Sequence, residues 1–379
     1  MTVETEAPAG PLPRIEALAG ELVAAEAAAI DRERRFPAES IEALAQAGAL
    51  GLTVPTEHGG AGAGLGELAA ACEAIGGACA STGMVFLMHS VAAATVAGGG
   101  GERAGELAER MAAGALGTLA FSERGTGAHF YSPELRAERV DGDLRISGRK
   151  SFVTSGGRAA VYLVLVGAEE GEGADCYAIE ADRAGLSFEG AWEGLGMAGN
   201  SSVAMVLDGV EVGDADRIGE PGAGGELVFG VVAPVFLVGL AAVNVGIAAA
   251  AEAAAIEHVK GRSYPDGSTL AELQAIQHAL ADIDLATGQA RLAVREAARL
   301  GEAGEEGALV AIMEAKIAAT EAAAAVTQRA LETCGGQAYG PGLPIERHLR
   351  DARAGAVMAP TNAVLRNWIG RALAGLPVP

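Results

Sequence analysis

The 379 residues carry a formal net charge of −22, and half of them are apolar although only 4% are aromatic. That length exceeds what one hydrophobic core serves, so two or three packed units are expected, and the apolar content excludes general disorder. The acidity, with no basic run, excludes nucleic-acid binding and docking on anionic lipid.

Residues 1–12 hold two prolines and read as a flexible start. From residue 13 to 116 the pattern is helical. Apolar positions return every three or four residues in "RIEALAGELVAAEAAAIDRERR", and "PAESIEALAQAGALGL" opens on proline and ends on glycine. "VPTEHGGAGAG" is a loop, followed by a helix through "LGELAAACEAIGGACASTGMVFLMHSVAAATVAGG". The texture changes at Gly117. Between 117 and 226, "DLRISGRKSFVTS", "AAVYLVLVG", "DCYAIEA" and "SVAMVLDGVEV" are short β-branched runs divided by Gly, Asp and Glu, which predicts an antiparallel β domain. Helices return over about 235–262, 270–302, 306–333 and 361–374, a four-helix bundle occupying 227–379. The fold class is therefore mainly α with a central β domain.

One apolar window, Leu227 to Ala255, is long enough to cross a bilayer. Its Ala and Gly content, with Pro234 and Asn244 inside it, reads instead as the buried central helix of the bundle, so no membrane is expected. Cys72, Cys79, Cys176 and Cys334 lie far apart without metal-ligand spacing, and no signal peptide is visible. Reduced thiols, a cytoplasmic location and no metal follow as expectations.

Four phrases occur in an order that resembles the acyl-CoA dehydrogenase family of FAD enzymes. "FPAESIEALAQAGALGLTVPTEHGGAG" is similar to that family's N-terminal phrase, "AFSERGTGAH" to its T-E-P-x-A-G-S-D flavin stretch and "GRKSFVTSGG" to G-x-K-x-W-I-T-N. "GGQAYGPGLPIERHLRDAR" resembles the segment ending E-R-x-x-R-D-a, and the likeness runs from about residue 15 to 375. Read by themselves, Ser122, Gly125, Thr126 and Gly127 make a turn of small residues whose N–H groups can approach a phosphate or a ring edge, or an ordinary hairpin turn. The resemblance implies FAD held by Phe121, Ser122, Gly127, Ala128, Phe152, Val153 and Thr154. Thr154 lies at the ring, and Phe152 takes the place of the usual tryptophan. It further implies a homodimer or homotetramer in which Arg262, Gln274, Gly335 and Gly336 of one chain clasp the cofactor tail of another, with Thr361 also at the cofactor. Arg262 read alone is equally a solvated charge at a helix end. Arg350 and Asp351 read as structural charges, pairing with each other or with Glu346 and Arg353.

In that family a glutamate after the Arg-Asp segment removes a thioester α-proton while hydride leaves the β-carbon for the flavin. Here "VMAPT" puts Ala359 at that position, and the alternative seat near Phe236 has no acid between Glu226 and Glu252. The resemblance thus describes a divergent member without the usual catalytic glutamate. Three explanations stay open. Another group replaces the base, His89 being the candidate, although a histidine satisfied at a helix end is the plainer reading; His129 stands where the flavin stretch has Asp. Alternatively the protein is a flavin-dependent monooxygenase or a desulfinase-type enzyme of the same fold, desulfination or elimination taking the place of dehydrogenation. Finally, the chain is a flavin-binding subunit of a hetero-oligomer. With Ala198 in place of a common arginine, and Ala128 and His129 in place of Ser-Asp, the acyl carrier is CoA, a carrier protein or neither. Electrons pass to a partner protein or to oxygen.

Overall fold

The computed structural model describes residues 10–169 and 173–378. Most of the stretch expected to be flexible, residues 1–9, lies outside the described residues, and Leu12 already begins a helix. α1 (Leu12–Leu18) continues through a π-helical turn (Ala19–Val23) into α2 (Ala24–Glu33), followed by α3 (Ala38–Gln46). The long helix expected after the loop is two helices, α4 (Leu65–Ala78) and α5 (Ala80–Gly99), because Cys79 between them adopts an extended conformation. α6 (Glu102–Ala112), which the sequence reading did not mark, completes the N-terminal unit.

The middle unit contains two sheets. β1 (Gly117–Ala120), β4 (Val161–Gly167), β5 (Ala174–Glu180) and β8 (Arg217–Ile218) form one, and β2 (Ala137–Val140), β3 (Asp143–Val153), β7 (Val203–Val212) and β6 (Leu186–Glu189) the other. Pairing is antiparallel except for β1 and β4, which are parallel. That pair corrects the expectation of an antiparallel unit throughout. The strands predicted from β-branched runs are β3, β4, β5 and β7; the ones not anticipated have two to four residues.

A short α7 (Gly224–Leu227) leads through a second π-helical turn (Val228–Val232) into α8 (Ala233–Gly261). Then follow α9 (Gln274–Ala303), α10 (Ala308–Cys334), α11 (Ile345–Val357) and α12 (Asn362–Leu373), the four expected helices with α11 added. α8 is the central helix, packed against α4, α9, α10 and α11. Its approach to α4 requires glycine: a Cβ on Gly246 would lie 2.2 Å from the Glu73 carbonyl oxygen. The bilayer-length windows of α5 and of 224–261 are 89% and 67% buried, so their apolar surface serves the core. All four cysteines are free and buried.

α11 joins the three units. Arg350 makes a double ion pair with Asp31 of α2 (2.6 and 2.8 Å) and a third contact with Glu346 (2.9 Å), while Asp351 accepts the Met197 backbone N–H of the middle unit at 2.6 Å. The expected pairing of Arg350 with Glu346 is present. Asp351 turns away from both arginines to the middle unit, where its buried carboxyl is pushed up to about 6 by desolvation.

Candidate active site

The edge of the middle unit that faces α11 is built around the end of β3. Between Lys150 and Val153 the register of β3 against β7 shifts, and Phe152 takes a left-handed φ of +55°. Such irregularities re-aim side chains. The Phe152 ring is consequently 69% exposed, with Trp192 edge-on at 6.4 Å. Trp192 is itself fixed by donating to the Met197 carbonyl (2.9 Å). Beside them Thr154 is buried. Its hydroxyl meets Ser202 at 2.9 Å, and its carbonyl accepts from Thr118 of β1 at 2.8 Å. Ser151 N–H donates to Ser122 O and Ser155 N–H to Asn200 O, so the segment is tied on both sides.

Behind this edge is a buried ion pair. Lys150 Nζ contacts Glu123 (2.5 Å), the Leu165 carbonyl and the Phe121 carbonyl, while Glu123 also accepts the Glu134 and Leu135 N–H groups. Burial lowers the Lys150 ammonium, and Glu123 opposes that. The pair holds the turn 124–128, where Gly127 has φ +56°, against β3. Of the residues named from the sequence, Phe121, Ser122, Gly127, Ala128, Phe152, Val153 and Thr154 thus share one edge. Phe121 and Val153 are buried, which leaves their backbones to contact a ligand. His129 is exposed and bonded to Tyr131 Oη (2.8 Å). Tyr131 in turn packs on Phe229 and Trp368 (5.3 and 5.7 Å), closing the middle unit onto the start of the bundle.

His89 is elsewhere. Its side chain is fully buried; Nδ1 accepts the Gly117 N–H (2.9 Å) and Nε2 donates to the Leu50 carbonyl (2.8 Å). Both nitrogens are used, and desolvation pushes the imidazolium down to about 4. This corrects the expectation of a substitute base: no lone pair remains for a substrate proton, and the ring instead fastens α5 to β1. Ala359 is half-buried in the turn between α11 and α12. Thr361, expected at the cofactor, caps α12 by accepting the Val364 N–H (3.3 Å).

A second cluster lies at the far end of α8. Arg262, His258, Leu270, Gly336 and Gln337 line a pocket of about 500 Å³, with Cys334 at its base. Gly335 has φ +59°, and a Cβ on Gly335 or Gly336 would meet nothing within 4 Å, so the turn presents open backbone. Arg262 lies over the Tyr264 ring at 5.7 Å. Gln274 is exposed at the start of α9 and does not line this pocket. The Phe152 edge instead reaches the bundle through Met197 and Asp351 of α11, whose Gly355 lies against Asn244 in the middle of α8, so one chain holds the two clusters at different levels of that helix.

Both edges suit a flavin dinucleotide: an uncovered flat apolar ring beside a hydroxyl at one, a cation above an open glycine turn at the other. Several features escaped the sequence reading, among them Trp192, the aromatic group of Tyr131, Phe229 and Trp368, and a fully buried lysine on α10, Lys316. Lys316 had a signal, a charge on the apolar stripe of Ile312, Met313 and Ala319.

Comparison with known proteins agrees. Models of the acyl-CoA dehydrogenase N-terminal, middle and C-terminal domains match residues 13–115, 118–210 and 238–374. The short-chain specific acyl-CoA dehydrogenase of Bos taurus mitochondria is 30% identical over 347 residues, covering 90% of this chain and 83% of that one. The 3-sulfinopropanoyl-CoA desulfinase of Paraburkholderia xenovorans is 31% identical over 367 residues, 94% and 93% of the two chains. Butyryl-CoA dehydrogenase from Megasphaera elsdenii superimposes with a TM-score of 0.91 at 25% identity, covering 96% and 97%. The chain belongs to the acyl-CoA dehydrogenase family of FAD-dependent oxidoreductases.

Proposed function

We propose that this protein oxidises an acyl thioester with FAD, in a cleft between the Phe152–Thr154 edge and the 358–361 turn, without a carboxylate base at position 359. The observation that carries the reading is Phe152, aimed outward by the irregularity in β3 and uncovered beside the buried Thr154–Ser202 pair. Bound FAD supplies the hydride acceptor. Phe152 would give its ring an apolar wall, with the Thr154 hydroxyl and the backbone N–H groups of the 124–128 turn as the polar groups that would hold it. Arg262 and the Gly335–Gly336 turn receive the tail of a neighbouring protomer's cofactor. The placement of the two clusters at different levels of α8 within one chain supports a homodimer or homotetramer over a site completed by one copy. Four free buried thiols support a cytoplasmic setting.

A second reading rests on Ala359 together with the desulfinase relative. Hydrolytic desulfination breaks the carbon–sulfur bond with water, the oxygen going to sulfite and a proton to carbon, and needs no α-proton acceptor, so a site lacking the glutamate suits it. Anaerobic mixing of the FAD-loaded protein with a panel of acyl-CoA thioesters tests both. Bleaching of the flavin absorbance supports dehydrogenation, and sulfite release from a 3-sulfinoacyl thioester without bleaching supports hydrolytic desulfination. If neither occurs, while oxygen is consumed in the presence of a reductase, thioester oxidation is refuted in favour of monooxygenation.

A further inference from the structure

The turn that carries Ala359 is gripped from beneath by Lys316. This side chain is fully buried in the middle of α10, and its Nζ lies 2.8 Å from Asn362 Oδ1, 3.1 Å from the Pro360 carbonyl and 3.5 Å from the Met358 carbonyl. Three acceptors match the three donors of an ammonium group. None of them is a carboxylate: Glu321, further along α10, is occupied by Arg366 (2.7 and 2.8 Å) and by Asn362 Nδ2 (3.4 Å). Thr320 completes the cluster, receiving Asn362 Nδ2 at 3.0 Å and donating to the Lys316 carbonyl at 2.9 Å. Burial pushes the ammonium down to about 7, partly opposed by Glu321.

An aliphatic side chain would fill this place in an Ala-rich bundle at lower desolvation cost, since an ammonium taken out of water loses several kcal/mol that hydrogen bonds must recover. What the lysine adds is a grip on the backbone immediately before and after Ala359. We propose that Lys316 is a positioning residue of the reaction site: with Asn362 it fixes the turn 358–362, and thereby the wall that position 359 offers to substrate and flavin. The proposal rests on the reading above that position 359 lines that cleft.

The test compares wild type with Lys316→Met, which keeps the volume and removes the donors. Hydrogen exchange, measured without substrate, is expected to accelerate about tenfold in peptides covering 358–363 and to stay unchanged in β3 and β7. The FAD-loaded variant is expected to stay yellow, with its visible band shifted. Its kcat should fall on the order of 100-fold with KM little altered, the cost of an ångström-scale misplacement. Unchanged exchange at 358–363, or acceleration spread evenly over the chain, overturns the proposal. Faster local exchange with an unchanged flavin band and unchanged kcat also overturns it, because the turn would then not govern the site. A wild type that takes up no FAD fails the underlying functional reading instead, while the exchange comparison still decides the grip. Should Lys316→Met not fold, Asn362→Ala removes one acceptor only and is expected to move the same observables in the same direction by less; no movement counts against the proposal.

Discussion

The two walls of the proposed cleft differ in what they carry. On the middle-unit wall, buried polar scaffold and exposed surface agree: Lys150 and Glu123 lock the turn 124–128 behind β3, and β3 brings Phe152 to the surface beside the buried Thr154. On the bundle wall the scaffold is just as complete, with Arg350 on Asp31, Asp351 on Met197 and Lys316 under the turn, yet the surface it supports at position 359 is a methyl group. Scaffold and chemistry are therefore separable. The physics that fixes a backbone turn is indifferent to whether that turn carries a proton acceptor, so the reaction can change while the frame stays.

The largest effect expected from breaking this contrast is at Ala359. Ala359→Glu restores a carboxylate to a turn already held in place, and general-base catalysis contributes about 10²- to 10⁴-fold. The rate of flavin bleaching by an acyl-CoA under anaerobic stopped flow is expected to rise within that range. On the other wall, Lys150→Met leaves Glu123 buried without its cation and is expected to cost about 3–5 kcal/mol in urea-unfolding stability.

The acid limb of stability comes next. His89 titrates at about 4 in the fold against 6.5 ordinarily. The fold favours its neutral form, so its contribution is complete above pH 6.5 and is lost as pH falls through 4, a difference of about 3 kcal/mol. Asp351 works in the opposite sense: raised to about 6, its protonated form is favoured, and that contribution fades as pH rises from 3.8 through 6. His348, buried and pushed down to about 3, adds to the histidine side. The difference between wild type and His89→Gln in stability against pH isolates His89, and the variant's limb between pH 6.5 and 4 should be flatter.

The smallest change in stability is expected at Phe152. With 69% of the residue in solvent, Phe152→Ala should alter unfolding stability by under about 0.5 kcal/mol. FAD affinity, read by fluorescence titration, should nevertheless fall, which separates surface from scaffold on this wall.

How much of this was legible beforehand follows the range of the interactions. α8 was readable because an apolar run of that length with Ala and Gly contacts has few other fates, and β3, β4, β5 and β7 because β-branched runs are local. β1, β2, β6 and β8 are too short for a pattern to repeat. Of the site, Phe152, Thr154 and the Gly335–Gly336 turn were visible as phrases. For His89 the plainer reading, a satisfied histidine, holds, but its place could not be read: its partners, Leu50 and Gly117, are 39 and 28 residues away, and nothing local tells an imidazole lining a cavity from one sewn between two backbones. For Arg350 the sequence neighbours gave half the answer: Glu346 is a partner, but the double ion pair is with Asp31, 319 residues off.

The central claim is that one flavin ring lies between these unequal walls while its tail rests on another copy. A crystal structure of the FAD-loaded protein tests it most directly. The account predicts the ring against Phe152 and Thr154, the adenine diphosphate in the Arg262–Gly336 pocket of a neighbouring protomer, and no carboxylate within hydrogen-bonding reach of the substrate α-carbon. A ring bound away from Phe152, a tail held entirely by its own chain, or a carboxylate reaching the substrate would contradict it.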